Sequence, residues 1–219
     1  MKIIGIDDAG RGPVLGPMVL SGIITEEEEE KKIKDLGAKD SKLLTPKQRK
    51  ILADYFRKNY TYYLEKVEPK EIDEFPNLNN LEAIKTGIII NKLMSNLNEK
   101  VRVYVDCPSV NTKAWSEYLE NTLIKKELIE LHCEHKADFK YPIVSAASII
   151  SKETREDELK RLKAELNINF GSGYPADPVT KEFLIKTFGE EKYNNLIRKS
   201  WKTYKNIQDK MDQRKLFYL

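Results

Sequence analysis

Lys2-Ile3-Ile4-Gly5-Ile6-Asp7-Asp8-Ala9-Gly10-Arg11-Gly12-Pro13 is the stretch that decides the fold. Lys2 to Asp7 is short, apolar and rich in β-branched residues, so it reads as a buried strand. Ala9 to Pro13 then has to turn, because two glycines and a proline cannot continue a ladder. Pro17 to Ile24 reads as a second strand, and so short a connection makes it antiparallel to the first. Consecutive strand residues point to opposite faces, so Asp7 and Asp8 share a site only if Asp8 already sits where the chain turns into Ala9-Gly10.

Outward from that hairpin, the acidic run Glu26 to Glu30 reads as the start of a solvated helix, followed by Lys31, Lys32 and Lys34. Thr45-Pro46 is a helix start, a capping hydroxyl followed by proline at the first helical position. Tyr60 to Val67 reads as a third strand, Asn80 to Leu93 as a helix, and Val101 to Val105 as a strand ending at Asp106. Leu128 to Cys133 reads as a further strand. A long helix starts at Pro142, where Ser145, Ala146, Ala147 and Ser148 permit close packing. Gly171-Ser172-Gly173-Tyr174-Pro175 breaks the pattern, and short helices fill the remainder. Strands alternating with helices, then a helical tail, make an α/β core over residues 1–165 and a helical C-terminal part over 166–219.

Composition narrows the class. The 219 residues are 33% charged and 40% hydrophobic, a soluble globular balance. The longest apolar candidate, around Ile88-Ile89-Ile90, is interrupted by Asn91 and Lys92, short of the roughly 18 residues that span a membrane. Met1 to Gly5 runs straight into two aspartates and so does not read as a signal peptide. With only two cysteines and no disulfide framework, the expected location is cytoplasmic. A net charge of +3 imposes no nucleic-acid partner, but residues 195–219 hold seven basic side chains against two acidic ones. A nucleic-acid surface should include that tail.

The informative pattern is where the carboxylates fall. Asp7 and Asp8 end the first strand, Asp106 ends the fourth, and Asp138 follows the fifth. Unpaired carboxylates beside a core are costly, and strand ends that adjoin would gather them into one self-repelling cluster. Divalent cations relieve that repulsion, and all-oxygen ligands suit Mg²⁺ or Mn²⁺. Two such ions, typically about 3.5–4 Å apart, clamp the attacking and leaving oxygens of a phosphoryl displacement. Any one acid taken alone reads better as a turn or helix-cap residue; for the set jointly that reading is the weaker. Gly10-Arg11-Gly12-Pro13 offers bare backbone to a ligand, or is an ordinary tight hairpin; its spacing is not that of a dinucleotide loop. His132-Cys133-Glu134-His135 does not make a zinc site, because alternation sends its ligands to opposite faces and Cys107 is alone. Lys39-Asp40-Ser41-Lys42 is a polar loop able to hold a phosphate or simply to join helices. Tyr174 is a packed aromatic or a stacking platform.

Taken together, several stretches resemble the type 2 ribonuclease H family, ribonuclease HII, and its compact archaeal members most closely. They are Gly5 to Pro13, Lys39 to Lys42, Tyr104-Val105-Asp106, Glu134 to Pro142, Ser145 to Ile149, Gly171 to Tyr174 and Ser200 to Thr203, in the family's order. The resemblance implies a ribonuclease H-like fold: a five-stranded mixed sheet, its first three strands antiparallel, flanked by helices, with the helical C-terminal part completing the substrate groove. It implies an endonuclease that hydrolyses RNA in RNA–DNA hybrids and cuts 5′ of single ribonucleotides embedded in duplex DNA, leaving 3′-hydroxyl and 5′-phosphate ends. Asp7, Asp8, Asp106 and Asp138 would be the catalytic acids and would ligate two divalent ions, Mg²⁺ or Mn²⁺. Gly10, Arg11 and Gly12 would read the 2′-hydroxyl, Tyr174 would stack on the neighbouring sugar, and Lys42 would contact a phosphate. The 2′-hydroxyl is the group that marks a ribonucleotide inside DNA, so a reader that approaches it closely is what the chemistry needs.

One residue departs from the family. Glutamate is usual where this chain has Asp8, and the shorter acid is expected to weaken one metal position and to favour Mn²⁺. Gln213 to Leu219 resembles a sliding-clamp-binding motif, although its aromatics follow Leu216 too early; a docked terminal cap is the other reading. A monomer with no membrane partner is expected. Two other classes share the acids: a resolvase- or integrase-type nuclease, which needs no Gly-Arg-Gly turn, and a non-catalytic nucleic-acid-binding protein with structural acids.

Overall fold

A computed structural model describes residues 1–38 and 44–217, with side chains through 213. In chain order the elements are β1 (Lys2–Ala9), β2 (Met18–Glu26), α1 (Glu30–Ile33), α2 (Pro46–Asn59), β3 (Thr61–Val67), α3 (Pro69–Glu74), α4 (Leu78–Leu93), β4 (Val101–Asp106) and α5 (Thr112–Glu120). They continue with β5 (Ile129–Glu134), α6 (Ala137–Lys140), α7 (Pro142–Leu166), α8 (Pro178–Lys186) and α9 (Lys202–Phe217). The five strands form one sheet in the order β3-β2-β1-β4-β5. β1 runs antiparallel to β2 and parallel to β4, and β4 runs parallel to β5, so the sheet is mixed.

The chain divides into two compact units. One comprises Met1–Ala9, Val19–Lys66 and Asn77–Arg155; the other comprises Gly10–Met18, Val67–Pro76 and Glu156–Leu219. The division falls inside α7 rather than near residue 165, and it gives the turn after β1 to the helical unit.

In the first unit, β1 is covered on both faces, which is why it reads as an unbroken apolar run. On one face the first turn of α7 lies directly on the strand. A Cβ on Gly5 would sit 2.4 Å from the backbone carbon of Ile143, so glycine is required there. Ser145, Ala146, Ala147 and Ser148 are all fully buried, the close packing their size predicts, and Ser21 Oγ donates to the Ala147 carbonyl at 2.6 Å. On the other face lies α4, whose Ile89 fills the space a side chain at Gly22 would take. Ion pairing of Arg49 with buried Glu153 at 2.7 Å ties α2 to α7. α2 itself begins as expected, Thr45 and Gln48 capping each other reciprocally.

The second unit has its own core: Val14, Leu15, Leu159, Phe170, Phe183, Leu184, Tyr193, Leu196, Ile197 and Tyr204. Two expectations are corrected by the elements themselves. Glu26 ends β2 instead of opening a helix, because it still pairs with Lys2 across the ladder. α9 is a 16-residue helix, not a short one.

Candidate active site

Strand register decides which acids meet. Asp7 lies opposite Ser21 and Asp8 opposite Leu20, so β1 is still regular at both. Asp8 therefore does not sit in the turn as expected, and the two side chains leave the strand on opposite faces. Asp7 shares the α7 face: Ser148 hydrogen-bonds its carboxylate, and Lys152 adds an opposite charge. Asp8 faces α4 and α5, where it lines a cavity of about 10 Å³, room for roughly one water, together with Glu82, Thr86, Asp106 and Trp115.

Asp7, Asp106 and Asp138 do converge. Each offers a carboxylate oxygen within 4.8 Å of the others, and Asp8 is outside this trio. Asp106 reaches the group from the end of β4, and its Oδ1 accepts the Ala137 amide at 3.0 Å, anchoring the start of α6. Lys136 turns the chain into that helix from a left-handed conformation, φ 58°. Lys140 and Tyr141 both bond Glu134 at the end of β5, and Tyr141 stacks on Tyr104 with centroids 3.9 Å apart. These contacts hold Asp138, 8% exposed, beside Asp7, 6% exposed. Burial, reinforced by the charges of Asp8 and Asp106, holds the Asp7 carboxyl well above the usual carboxylate range. Three hard oxygen donors, two of them buried, fit a divalent cation such as Mg²⁺ or Mn²⁺. Asp7, Asp106 and Asp138 would hold it.

The thiols and imidazoles are engaged elsewhere. Cys107 is buried, and burial pushes the Cys133 thiol up to about 12. His132 pairs with Glu130 at 2.8 Å, and His135 Nδ1 contacts the Cys107 carbonyl.

In the second unit, Gly10, Arg11 and Gly12 form the turn, with Gly10 at φ 85°, a conformation glycine adopts without strain. Tyr174, 46% exposed, comes alongside: its Cε1 lies 3.9 Å from where a Gly12 Cβ would be. The two loops are joined by the amides of Val14 and Leu15, which both donate to the Gly173 carbonyl. Asp177 holds the Tyr174 loop from behind, accepting from the amide and hydroxyl of Ser172 and from the Val179 amide. Those donors pull its carboxyl down to about 2. Lys42 lies outside the described residues.

Arg198 corrects the charge reading of the tail. It is fully buried, so it belongs to no nucleic-acid surface. Sequence reasoning also passed over Glu82, 1% exposed among the acids. Its signal was an acid within the apolar register of α4, where Leu81, Ala83 and Ile89 are buried.

A mixed sheet of this order, with acids gathered from the ends of β1 and β4 and the start of α6, defines a ribonuclease H-like hydrolase. The family model for Ribonuclease HII matches residues 4–204. A Ribonuclease HII of Methanosarcina acetivorans is 38% identical, covering 97% of this chain and 98% of that protein. The crystal structure of the ribonuclease H2 from Pyrococcus horikoshii superposes with a TM-score of 0.85 at 40% identity, covering 96% of this chain and 98% of that one. The RNase HII of a PCNA:RNase HII complex from Archaeoglobus fulgidus gives 0.81 at 37% identity, covering 92% and 96%. The chain belongs to the ribonuclease HII family, and it is a metal-dependent endonuclease acting on RNA in RNA–DNA hybrids. Among the described residues, no helix is long and apolar enough to cross a membrane.

Proposed function

We propose that the chain also incises duplex DNA at single embedded ribonucleotides, on the 5′ side, leaving 3′-hydroxyl and 5′-phosphate ends. The convergence of Asp7, Asp106 and Asp138 within 4.8 Å carries this reading. Bound divalent ions, two in this proposal, supply an activated water and charge stabilisation for the leaving 3′-oxygen. Asp7, Asp106 and Asp138 bind them, Ser148 and Lys152 orient the Asp7 carboxylate, and Asp8 contributes from the other side of β1.

Gly10, Arg11 and Gly12 read the 2′-hydroxyl, and Tyr174 beside Gly12 stacks on the following sugar. Ala9 alone separates Asp8 from Gly10 in the sequence, which supports cleavage and ribose reading following each other along the chain. The helical part over 166–219 supplies further substrate contacts, and Lys42 contacts a phosphate. The shorter Asp8 weakens one metal position and favours Mn²⁺ over Mg²⁺. The chain works as a cytoplasmic monomer, and its Gln213–Leu219 segment binds a sliding clamp, a reading supported by the Archaeoglobus complex.

The test is a DNA duplex carrying one ribonucleotide, incubated with Mg²⁺, with Mn²⁺ or with chelator. A single cut 5′ of the ribonucleotide, only with metal present, is expected. Cutting of an all-DNA duplex, or no cut in either metal, overturns the proposal.

A further inference from the structure

Arg198 is 0% exposed, although its side chain ends in a charged guanidinium. Such burial persists only where every donor finds an acceptor. Three of its donors meet backbone carbonyls between β1 and β2: Nη2 donates to Gly10 at 2.7 Å, Nη1 to Arg11 at 2.9 Å and Nε to Gly16 at 3.0 Å. The Trp201 indole takes the next carbonyl, Nε1 donating to Gly12 at 3.0 Å, and its ring lies 5.0 Å from the Arg198 guanidinium. Three consecutive carbonyls, Gly10, Arg11 and Gly12, are thus tied inward by two side chains from one four-residue segment.

That segment is braced in turn. The Arg198 amide donates to the Val14 carbonyl at 2.9 Å. Asp73 on α3 accepts from the amides of Lys199 and Ser200 and from the Ser200 hydroxyl.

The consequence follows from peptide geometry. Every peptide here is trans, so each carbonyl is opposed across its plane by the N–H of the next residue. Drawing the Gly10 and Arg11 carbonyls onto the guanidinium turns the Arg11 and Gly12 amides to the far side of the loop. The Gly12 carbonyl precedes Pro13, which has no N–H, so the tripeptide directs two donors away from Arg198. A charged donor on each carbonyl also polarises its peptide and strengthens the opposite N–H. A loop built this way meets a ribose 2′-oxygen as an acceptor; a deoxyribose has none to offer.

We propose that Arg198, seconded by Trp201, is a positioning residue that fixes the Gly10–Gly12 backbone in its donor-outward state and thereby sets the enzyme's preference for ribose. This rests on the ribose-reading role proposed above. Lysine cannot replace the planar fork, since it lacks the fixed geometry that spans two carbonyls at once.

The experiment compares binding of two duplexes, one with a single ribonucleotide and its all-DNA counterpart, in chelator so that neither is cut. The wild-type chain binds the ribonucleotide duplex more tightly. Arg198→Lys is expected to weaken that duplex alone by about tenfold and to abolish the preference, and Trp201→Phe by about threefold. Affinity for the all-DNA duplex and Mn²⁺ binding stay at wild-type values in both variants, whereas a general loss of structure would lower all of them together. A folded Arg198→Lys chain that keeps the full preference overturns the inference. If that variant does not fold, Trp201→Phe decides, since it keeps an aromatic ring, though a smaller one, and loses one donor: an unchanged preference overturns it. A wild-type chain without preference overturns the ribose-reading role, and the inference with it.

Discussion

The acid cluster and the glycine turn solve opposite problems. Around Asp7, negative charge is concentrated and partly buried, and the carboxyl is held well above its usual range. Around the turn, the carbonyls of Gly10, Arg11 and Gly12 are already held by Arg198 and Trp201, and Asp177 beside it is pulled down to about 2. One region is assembled to be completed by a cation; the other is fixed in shape before anything arrives. Catalytic need and recognition need are thereby separated: the first keeps electrostatic tension in reserve, and the second removes conformational choice in advance.

The strongest way to break the contrast is Asp106→Asn. The amide oxygen still accepts from Ala137, so the fold should persist, while one ligand charge is lost from the trio. Cleavage should fall by about a thousandfold in single-turnover assays, with hybrid binding retained. Gly5→Ala attacks the scaffold instead. Its methyl has no room against Ile143, and unfolding in urea should show a loss of about 3 kcal/mol.

Asp8→Glu sharpens the metal side. Restoring the longer acid should raise the Mg²⁺-supported rate by about tenfold and narrow the gap to Mn²⁺; unchanged kinetics in both metals would refute the role given to Asp8.

The smallest effects lie in the pH dependence of the metal-free protein, and they should have opposite signs. Asp7 has a folded pKa above its unfolded value, so the native state holds the extra proton, and stability falls as pH rises from about 4 through the raised value. Asp177 has a depressed folded pKa, so its contribution is present above about 4 and is lost as pH falls toward about 2. Thermal melts should show Asp7→Asn removing the first slope and Asp177→Asn the second. Adding Mn²⁺ should cancel only the first.

What could be read in advance follows from the range of each interaction. β1 and β4 declare themselves through apolar runs that end in acids, and α2 through a capping box contained in four residues. The convergence of Asp7 with Asp106 follows once β1 and β4 adjoin. Asp138 depended on a four-residue helix entered through a left-handed lysine, which no periodicity announces. The orientation of Asp8 was misjudged because β1 stays regular through Ala9, one residue further than the turn signals suggested. Arg198 was counted with the tail's surface charge because its partners lie more than 180 residues away along the chain. Nothing near it in sequence distinguishes a carbonyl clamp from a solvated cation.

The quiet chemistry of the two sulfurs offers a practical handle. Burial pushes the Cys133 thiol up to about 12, which leaves little thiolate at neutral pH, and Cys107 is sealed in the core. Val110, 96% exposed and four residues beyond Asp106, stands on the loop leaving β4. Maleimide reagents should therefore modify a Val110→Cys chain at that one position, placing a fluorophore or spin probe on the loop that leaves the strand carrying Asp106 without first stripping the native cysteines.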